Sequence, residues 1–268
     1  MIKWFCMQQI LSTIILTKNE ENDIVDCIET LNFADEIIII DDYSTDRTLD
    51  VVKDLNRKNI HCYKRKLEND FSAQRNFGLS KAKGIWILFV DADERISKEL
   101  GREIINKISD QNLKESGFFI KRLDEIWNRR LEYGETGNIR LLRLAKRNSG
   151  AWSGRVHEKW QINGITSTLK NEIIHYPHKN LRNFLSEINY YSTLRAQELH
   201  DLNIRTNIYQ IIGYPIVKFI YNFIFKLGFL DKMPGFIIAV CMSFHSFMVR
   251  AKLWLLWKKR VKKLFLEY

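Results

Sequence analysis

Only three of the 268 residues are proline and twelve are glycine, too few for a disordered or low-complexity chain. The four cysteines, Cys6, Cys27, Cys62 and Cys241, have neither metal-ligand nor redox spacing, so a reduced, cytosolic setting is the simpler reading. No internal repeat is present. No apolar run reaches the roughly 20 residues of a membrane span: Phe236 to Val249 holds about 14 and is interrupted by His245. The run from Ile211 to Leu230 carries Pro215, Lys218 and Lys226. Ile10 to Leu16 is short, contains Ser12 and Thr13, and precedes no small-residue cleavage site. It reads as a first strand, not a signal peptide.

What is present is a core-forming composition, 46% hydrophobic and 28% charged, in a chain long enough for one large domain and an appendage. The net charge of +10 is unevenly placed. Residues 203–268 hold 11 Lys and Arg against two Asp and Glu, a balance of +9, whereas the first 202 residues are nearly neutral at +1. Such asymmetry points to a polyanion or an anionic membrane surface as partner of the tail. The expected division is residues 1–202 as a near-neutral first domain and 203–268 as a basic, apolar, helical tail.

The first half alternates strand-like and helix-like segments. Ile10 to Thr17, Glu36 to Ile40, Ile60 to Tyr63 and Ile85 to Val90 read as strands. Between them, Glu20 to Asn32, a segment capped by Ser44 and running to Leu55, and Ser72 to Ala82 read as helices; Ser97 caps a further helix to Ile108. This β-α-β-α order predicts an α/β fold, Rossmann-like, with a mostly parallel sheet and helices on both faces. Residues 117–178 are more strand-rich, with Phe118 to Lys121, Arg140 to Leu144 and Ile173 to His175 as candidates, and residues 181–201 form an amphipathic helix.

Three polar clusters follow strands: Thr17-Lys18-Asn19-Glu20, Asp41-Asp42-Tyr43-Ser44-Thr45-Asp46 and Asp91-Ala92-Asp93-Glu94. In a parallel sheet these ends share the edge where ligands bind. Any one cluster is ordinary turn chemistry; three in register describe a crevice. The paired aspartates suit a hard divalent cation, which in turn suits a ligand's phosphates.

The segments "TIILTKNEE", "IIIIDDYSTDRT" and "FVDADE" resemble the first strand, second-strand acid and DXD motif of the family 2 nucleotide-sugar glycosyltransferases, which have the GT-A fold. "DFSAQRNFGLSKAKGIWILFVDADE" and "WSGRVHE" are similar to a bacterial subgroup of β-1,4-glucosyltransferases. That subgroup adds glucose or a related sugar to the inner core of lipopolysaccharide or lipooligosaccharide. The likeness covers about the first 180 residues, on the order of one domain. It implies an inverting, metal-dependent hexosyltransferase with a UDP-hexose donor and a lipid-linked oligosaccharide acceptor. The same chemistry on a lipid phosphate, a capsule precursor or a protein side chain is the alternative. A nucleic-acid partner, which the basic tail invokes, is disfavoured because a phosphate-binding face is not lined with aspartates.

Carried onto this sequence, the resemblance implies that Thr17, Asn19 and Glu20 border the nucleotide and that Asp41 or Asp42 binds uracil or ribose. Arg75 and Asn76 help order the pyrophosphate. Asp91 lies near ribose and metal, and Asp93 binds Mn²⁺ or Mg²⁺. His175, in Ile173-Ile174-His175-Tyr176-Pro177-His178, stands where some relatives complete the metal shell, and His157 orients Glu158 or touches a phosphate. Glu158 is the candidate base, taking the acceptor proton. Trp152 and His157 lie on the acceptor side, Trp152 offering an aromatic face for a sugar. Asp70 either borders the donor pocket or caps the helix that follows it.

In the tail, Trp254, Trp257, Val261 and Leu264 recur at helical spacing among Lys252, Lys259 and Lys263, the pattern of an interfacial helix. The expectation is a peripheral protein on the cytoplasmic face of the inner membrane. Packing of the tail on the catalytic domain, or on a second copy in a homo-oligomer, is the competing use.

Overall fold

The computed structural model describes residues 10–154, 158–177 and 180–266, with side chains followed to Lys258. The chain forms two compact units, Met1–Arg122 with Ile139–His175, and Leu123–Asn138 with Tyr176–Tyr268.

In the first unit, β1 (Leu11–Thr17), α1 (Ile24–Glu29), β2 (Glu36–Asp41), α2 (Thr48–Asp54), β3 (Ile60–Lys64), α3 (Phe71–Lys81) and β4 (Trp86–Asp91) follow one another. Next come β5 (Glu94–Ile96), α4 (Lys98–Ile108), β6 (Glu115–Ile126), β7 (Arg129–Leu131), β8 (Ile139–Lys146), β9 (Gly150–Ser153), β10 (Lys159–Ile162) and β11 (Ile165–His175). The main sheet runs β3-β2-β1-β4-β8-β6-β11-β5; β7 pairs with the end of β6 that belongs to the second unit, and β9 and β10 form a separate ribbon. The first four strands are parallel, and β8 turns the sheet antiparallel.

The parallel strands are short runs of Ile, Leu and Val buried on both faces, as covered parallel sheets require. Alternation sends Leu11, Ile15, Ile37, Ile39, Leu88 and Val90 to the face covered by α1 and α4. Ile14, Ile38, Ile40, Ile87 and Phe89 go to the opposite face, with Trp152, Trp160 and the flank of Phe77. The expected α/β architecture with flanking helices is therefore present, in a mixed sheet.

Two local expectations change. The helix after β2 starts at Thr48, not Ser44, because the Ser44 hydroxyl accepts the Asn19 amide at 2.9 Å and is tied into a loop. Asp70 is the cap of α3, its Oδ1 accepting the Ala73 amide at 2.8 Å, which is the capping alternative for that residue. Ser97 caps α4 as expected.

The second unit contains α5 (Leu181–Asp201), α6 (Ile208–Ile220) and α7 (Lys232–Leu266). Its core is Ile126, Leu131, Phe184, Ile188, Ile238 and Cys241. The helix α5 thus packs with the tail, whereas the sequence put it with the first 202 residues. Fully buried Ser192 and Ala196 let α7 approach α5, and Lys252 Nζ donates to Ser192 Oγ and to the Asn189 carbonyl.

The Trp257 indole, expected on an interfacial face, donates to the Ile204 carbonyl at 2.8 Å and packs against His200 and Arg205. The side chains of Val261 and Leu264 lie outside the described residues. Ile208–Phe225 and Gly228–Lys258 are each long and apolar enough, by length and composition only, to cross a bilayer.

Candidate active site

The parallel register brings the three polar clusters together. Thr17 stands opposite Asp41, and Leu16 opposite Asp91, so β1, β2 and β4 end flush. Two loops are then laced at that edge. Asn19, at φ 57°, accepts the Thr45 amide on its side-chain oxygen, and the Glu20 amide donates to Thr48 Oγ1 at 2.8 Å. Positive φ is a conformation Asn tolerates better than most residues.

The doubled aspartate divides. Asp42 is engaged on both oxygens, by Lys18 Nζ at 2.6 Å and by the Leu67 amide at 2.9 Å. Asp41 is fully buried; Oδ2 accepts the Ser44 amide, and Oδ1 has no partner among the described atoms. Of the two, Asp41 keeps an uncommitted acceptor.

Arg75, projecting from α3, is the hub of the site. Its Nε lies 3.2 Å from Glu158 Oε1 and its Nη2 lies 3.2 Å from Asp91 Oδ1. Its guanidinium sits 4.7 Å from the Trp152 ring and 5.5 Å from the Phe89 ring. Aromatic faces hold the cation in place while leaving its edge for carboxylates. Asn76, one residue on, exchanges both backbone bonds with Trp152, its Nδ2 donating to the carbonyl and its Oδ1 accepting the amide, each at 2.9 Å. Ser72 donates to the Gly154 carbonyl. One helix therefore fixes the strand that leads toward Glu158.

Trp152 does not offer the open face expected for a sugar. It is only 8% exposed, stacked on Trp160 at 5.5 Å, and covered by Arg75. Its role here is to shape Arg75. His157 lies outside the described residues.

The third cluster has a partner that the sequence did not reveal. Arg143, on β8, reaches Asp91 Oδ2 at 2.5 Å and Glu94 Oε1 at 2.7 Å. Glu94 is 0% exposed, and its other oxygen accepts the Asp91 amide. Burial raises the Asp91 carboxyl, but Arg143 and then Arg75 overcome it and hold the group well below the usual carboxylate range. Burial, together with the nearby Asp91 charge, pushes the Glu94 carboxyl up against the pull of Arg143. Burial works against the Arg143 charge too, yet the two carboxylates raise its pKa above the ordinary arginine value. The available signal was an arginine directly flanked by Leu142 and Leu144 in a strand, where a buried charge requires a partner.

The three expected metal ligands are thus placed differently. Asp91 is committed to two arginines. Asp93 Oδ2 lies 3.2 Å from His175 Nε2, because the pairing of β11 with β5 sets His175 opposite Glu94. Among the described residues no group of three His, Cys, Asp or Glu side chains converges as a metal cage. A half-exposed carboxylate beside an imidazole nevertheless fits a Mn²⁺ or Mg²⁺ ion whose remaining ligands are phosphate oxygens and water.

Residues 12–168 match the family described as Glycosyl transferase family 2. The lipopolysaccharide core biosynthesis glycosyltransferase LpsC of Rhizobium meliloti is 28% identical over 254 residues, spanning 91% of this chain and 92% of LpsC. An uncharacterized glycosyltransferase of Rickettsia typhi is 26% identical over 255 residues, spanning 91% and 86% of the two chains. Among solved structures, the mannosyltransferase PcManGT from Pyrobaculum calidifontis, in complex with GDP-Man and Mn2+, aligns with a TM-score of 0.53 at 12% identity. That alignment covers 95% of this chain and 89% of the other. It is a likeness of fold.

Proposed function

The chain belongs to glycosyl transferase family 2, and from that premise we propose that it moves a hexose, most simply glucose from UDP-glucose, onto a heptose of a lipopolysaccharide or lipooligosaccharide core. The observation that carries this reading is the Asp91–Arg75–Glu158 chain at the nucleotide edge of the sheet. It ties a candidate base to the strand end that faces the donor. The full-length similarity to a lipopolysaccharide-core transferase supports the acceptor class.

In this reading Thr17, Asn19, Glu20 and Asp41 border the nucleoside. Glu158 takes the proton from an acceptor hydroxyl as its oxygen bonds to the anomeric carbon. The bond from that carbon to the diphosphate oxygen breaks on the opposite face, so the configuration inverts. Arg75 keeps the Glu158 carboxylate aimed and supplies positive charge near the diphosphate. Asp93 and His175 would hold Mn²⁺ or Mg²⁺, which when bound supplies neutralisation of the departing diphosphate. Asp91 anchors the arginines. In this reading the enzyme works on the cytoplasmic face of the inner membrane, beside its lipid-linked acceptor, and the excess of Lys and Arg after residue 202 supports contact with that anionic surface.

The ligand is tested by thermal unfolding. UDP with Mn²⁺ is expected to raise Tm, equivalent to about 2.7 kcal/mol at a hundredfold excess over Kd, while single-stranded nucleic acid leaves it unchanged. In Asp93→Ala the Mn²⁺-dependent part of the rise disappears. Absence of a rise with every nucleotide and metal tried sinks the reading. An undiminished rise in Asp93→Ala removes that residue from the metal site.

A further inference from the structure

The helix α7 carries a long, exposed apolar stripe. Met233, Phe236, Val240, Phe244, Phe247, Trp254 and Leu255 are all exposed, and at about 3.6 residues per turn these positions fall along one side of a helix. The opposite side, with Ile238, Cys241, Val249 and Leu253, is buried. The neighbouring helix α6 adds exposed Tyr209, Ile212, Ile216, Val217 and Ile220. Phe219 and Phe223 pack against Phe236 and join the two helices' apolar surfaces. A soluble monomer rarely exposes so long a continuous apolar surface without a partner for it.

We propose that this α6–α7 hairpin lies in the plane of an anionic phospholipid bilayer, with its apolar stripe among the acyl chains and its cations at the headgroups. The inference deepens the membrane part of the proposed function and rests on it. It extends the contact from residues 250–268, expected from sequence, back along α7 and onto α6.

Length alone allows two crossings, but the hairpin's attachments do not. The turn between the helices is held by the polar segment 129–135. Buried Asp231 accepts the amides of Glu132 and Tyr133, and the Gly134 amide donates to the Lys226 carbonyl. Glu135 binds Lys218 at 2.7 Å and Asn222 at 2.9 Å. Crossing would carry this charged segment through hydrocarbon along with the turn. At the other end, Lys252 and Trp257 bind α5 and the segment after it. A helix pair fastened at both ends along one side, and apolar on the other, matches an interfacial, monotopic geometry.

Charge selects lipid over a second copy of the chain. Residues 208–258 contain six Lys and Arg and a single acid, the buried Asp231. Two such surfaces repel each other, whereas an anionic bilayer attracts both. A cavity of about 510 Å³ between α5, α6 and α7 gathers Arg195, Arg205, Lys218, His245 and Arg250. Arg195 and Lys218 have acidic partners, Glu198 and Glu135, while Arg250 stacks at 3.7 Å on Tyr214 and donates to Ser246. Tyr214 and Val217 on α6, and Tyr221 just after it, line this cavity and are also exposed. Its mouth therefore borders the apolar face, as a headgroup-phosphate pocket must.

The test is flotation of the purified full chain with phosphatidylcholine vesicles, with or without phosphatidylglycerol, in the absence of nucleotide and acceptor. Failure here and failure of the sugar-transfer reading are thus scored separately. The wild-type chain is expected to float with phosphatidylglycerol and to be released by high salt. Phe244→Ser with Phe247→Ser should reduce flotation about tenfold or more while keeping the wild-type circular dichroism and unfolding transition. Val217→Ser with Leu255→Ser, on both helices, carries the same expectation should the first pair fail to fold. Equal flotation on neutral vesicles, no flotation, or undiminished flotation of the folded variants overturns the proposal. So does a lipid-free wild-type dimer that these substitutions convert to monomer.

Discussion

Glu158→Gln is expected to lower kcat by about 10²–10⁴-fold while leaving the UDP–Mn²⁺ thermal shift at its wild-type size. Glutamine preserves the shape of the side chain and an oxygen for Arg75 Nε, now 3.2 Å from Glu158 Oε1, but it cannot take up the acceptor proton. Arg75 keeps its second carboxylate, Asp91, so the donor side should stay assembled. The split between lost turnover and kept binding distinguishes a base from a residue that merely supports the fold. Wild-type turnover in this variant would move the base elsewhere. Two other acids, Asp70 and Glu135, are already engaged: Asp70 caps α3, and Glu135 binds Lys218 and Asn222.

Arg143→Met is expected to destabilise the protein by about 3–5 kcal/mol, because removing one partner strands buried opposite charges. Asp91 and the fully buried Glu94 both lose their shared cation. Chemical denaturation at pH 7 measures the loss, and adding Glu94→Gln to Arg143→Met should recover part of it. The pH dependence has a definite sign. In the wild type, the depressed Asp91 contributes stability above the unfolded aspartate value, about 3.9, and loses it as pH falls through its lower folded value. The raised Glu94 acts oppositely, favouring the fold below its unfolded value and losing that contribution as pH rises through the folded one. Without Arg143, Asp91 keeps Arg75, but Glu94 is left fully buried without its cation, so Glu94 takes up a proton more readily folded than unfolded. The deficit of Arg143→Met should therefore narrow on acidification toward pH 5. A deficit that is small at pH 7, or that widens on acidification, would show that Arg143 is not the keystone of this network.

The edge that gathers the three polar clusters was legible because it depends on strand ends, and strands advertise themselves as short Ile, Leu and Val runs. Thr17, Asp41 and Asp91 could be set side by side from that alone, and the register of β1 with β2 and β4 does so. Arg143 was not legible, since its partners are about 50 residues away in sequence and meet it only through the β4–β8 pairing. Trp152 was misjudged for a related reason. Sequence shows that an aromatic is present but not that Arg75 and Trp160 cover it.

The second unit illustrates a different limit. The stripe Phe236, Val240, Phe244, Phe247 was present as helical periodicity, but counting uninterrupted apolar residues ends at Val249 and misses that one helix continues from Lys232 to Leu266. Nor could the sequence place α5 with the tail, because that depends on small residues such as Ser192 and Ala196 meeting α7 in space.

The most direct measurement is release of UDP from UDP-hexoses, with UDP-glucose first, by the purified chain with Mn²⁺, with and without a heptose-bearing core oligosaccharide. The predicted result is rapid release only when acceptor is present, absent in Glu158→Gln. Release that ignores the core oligosaccharide, or no release from any UDP-hexose, would contradict it.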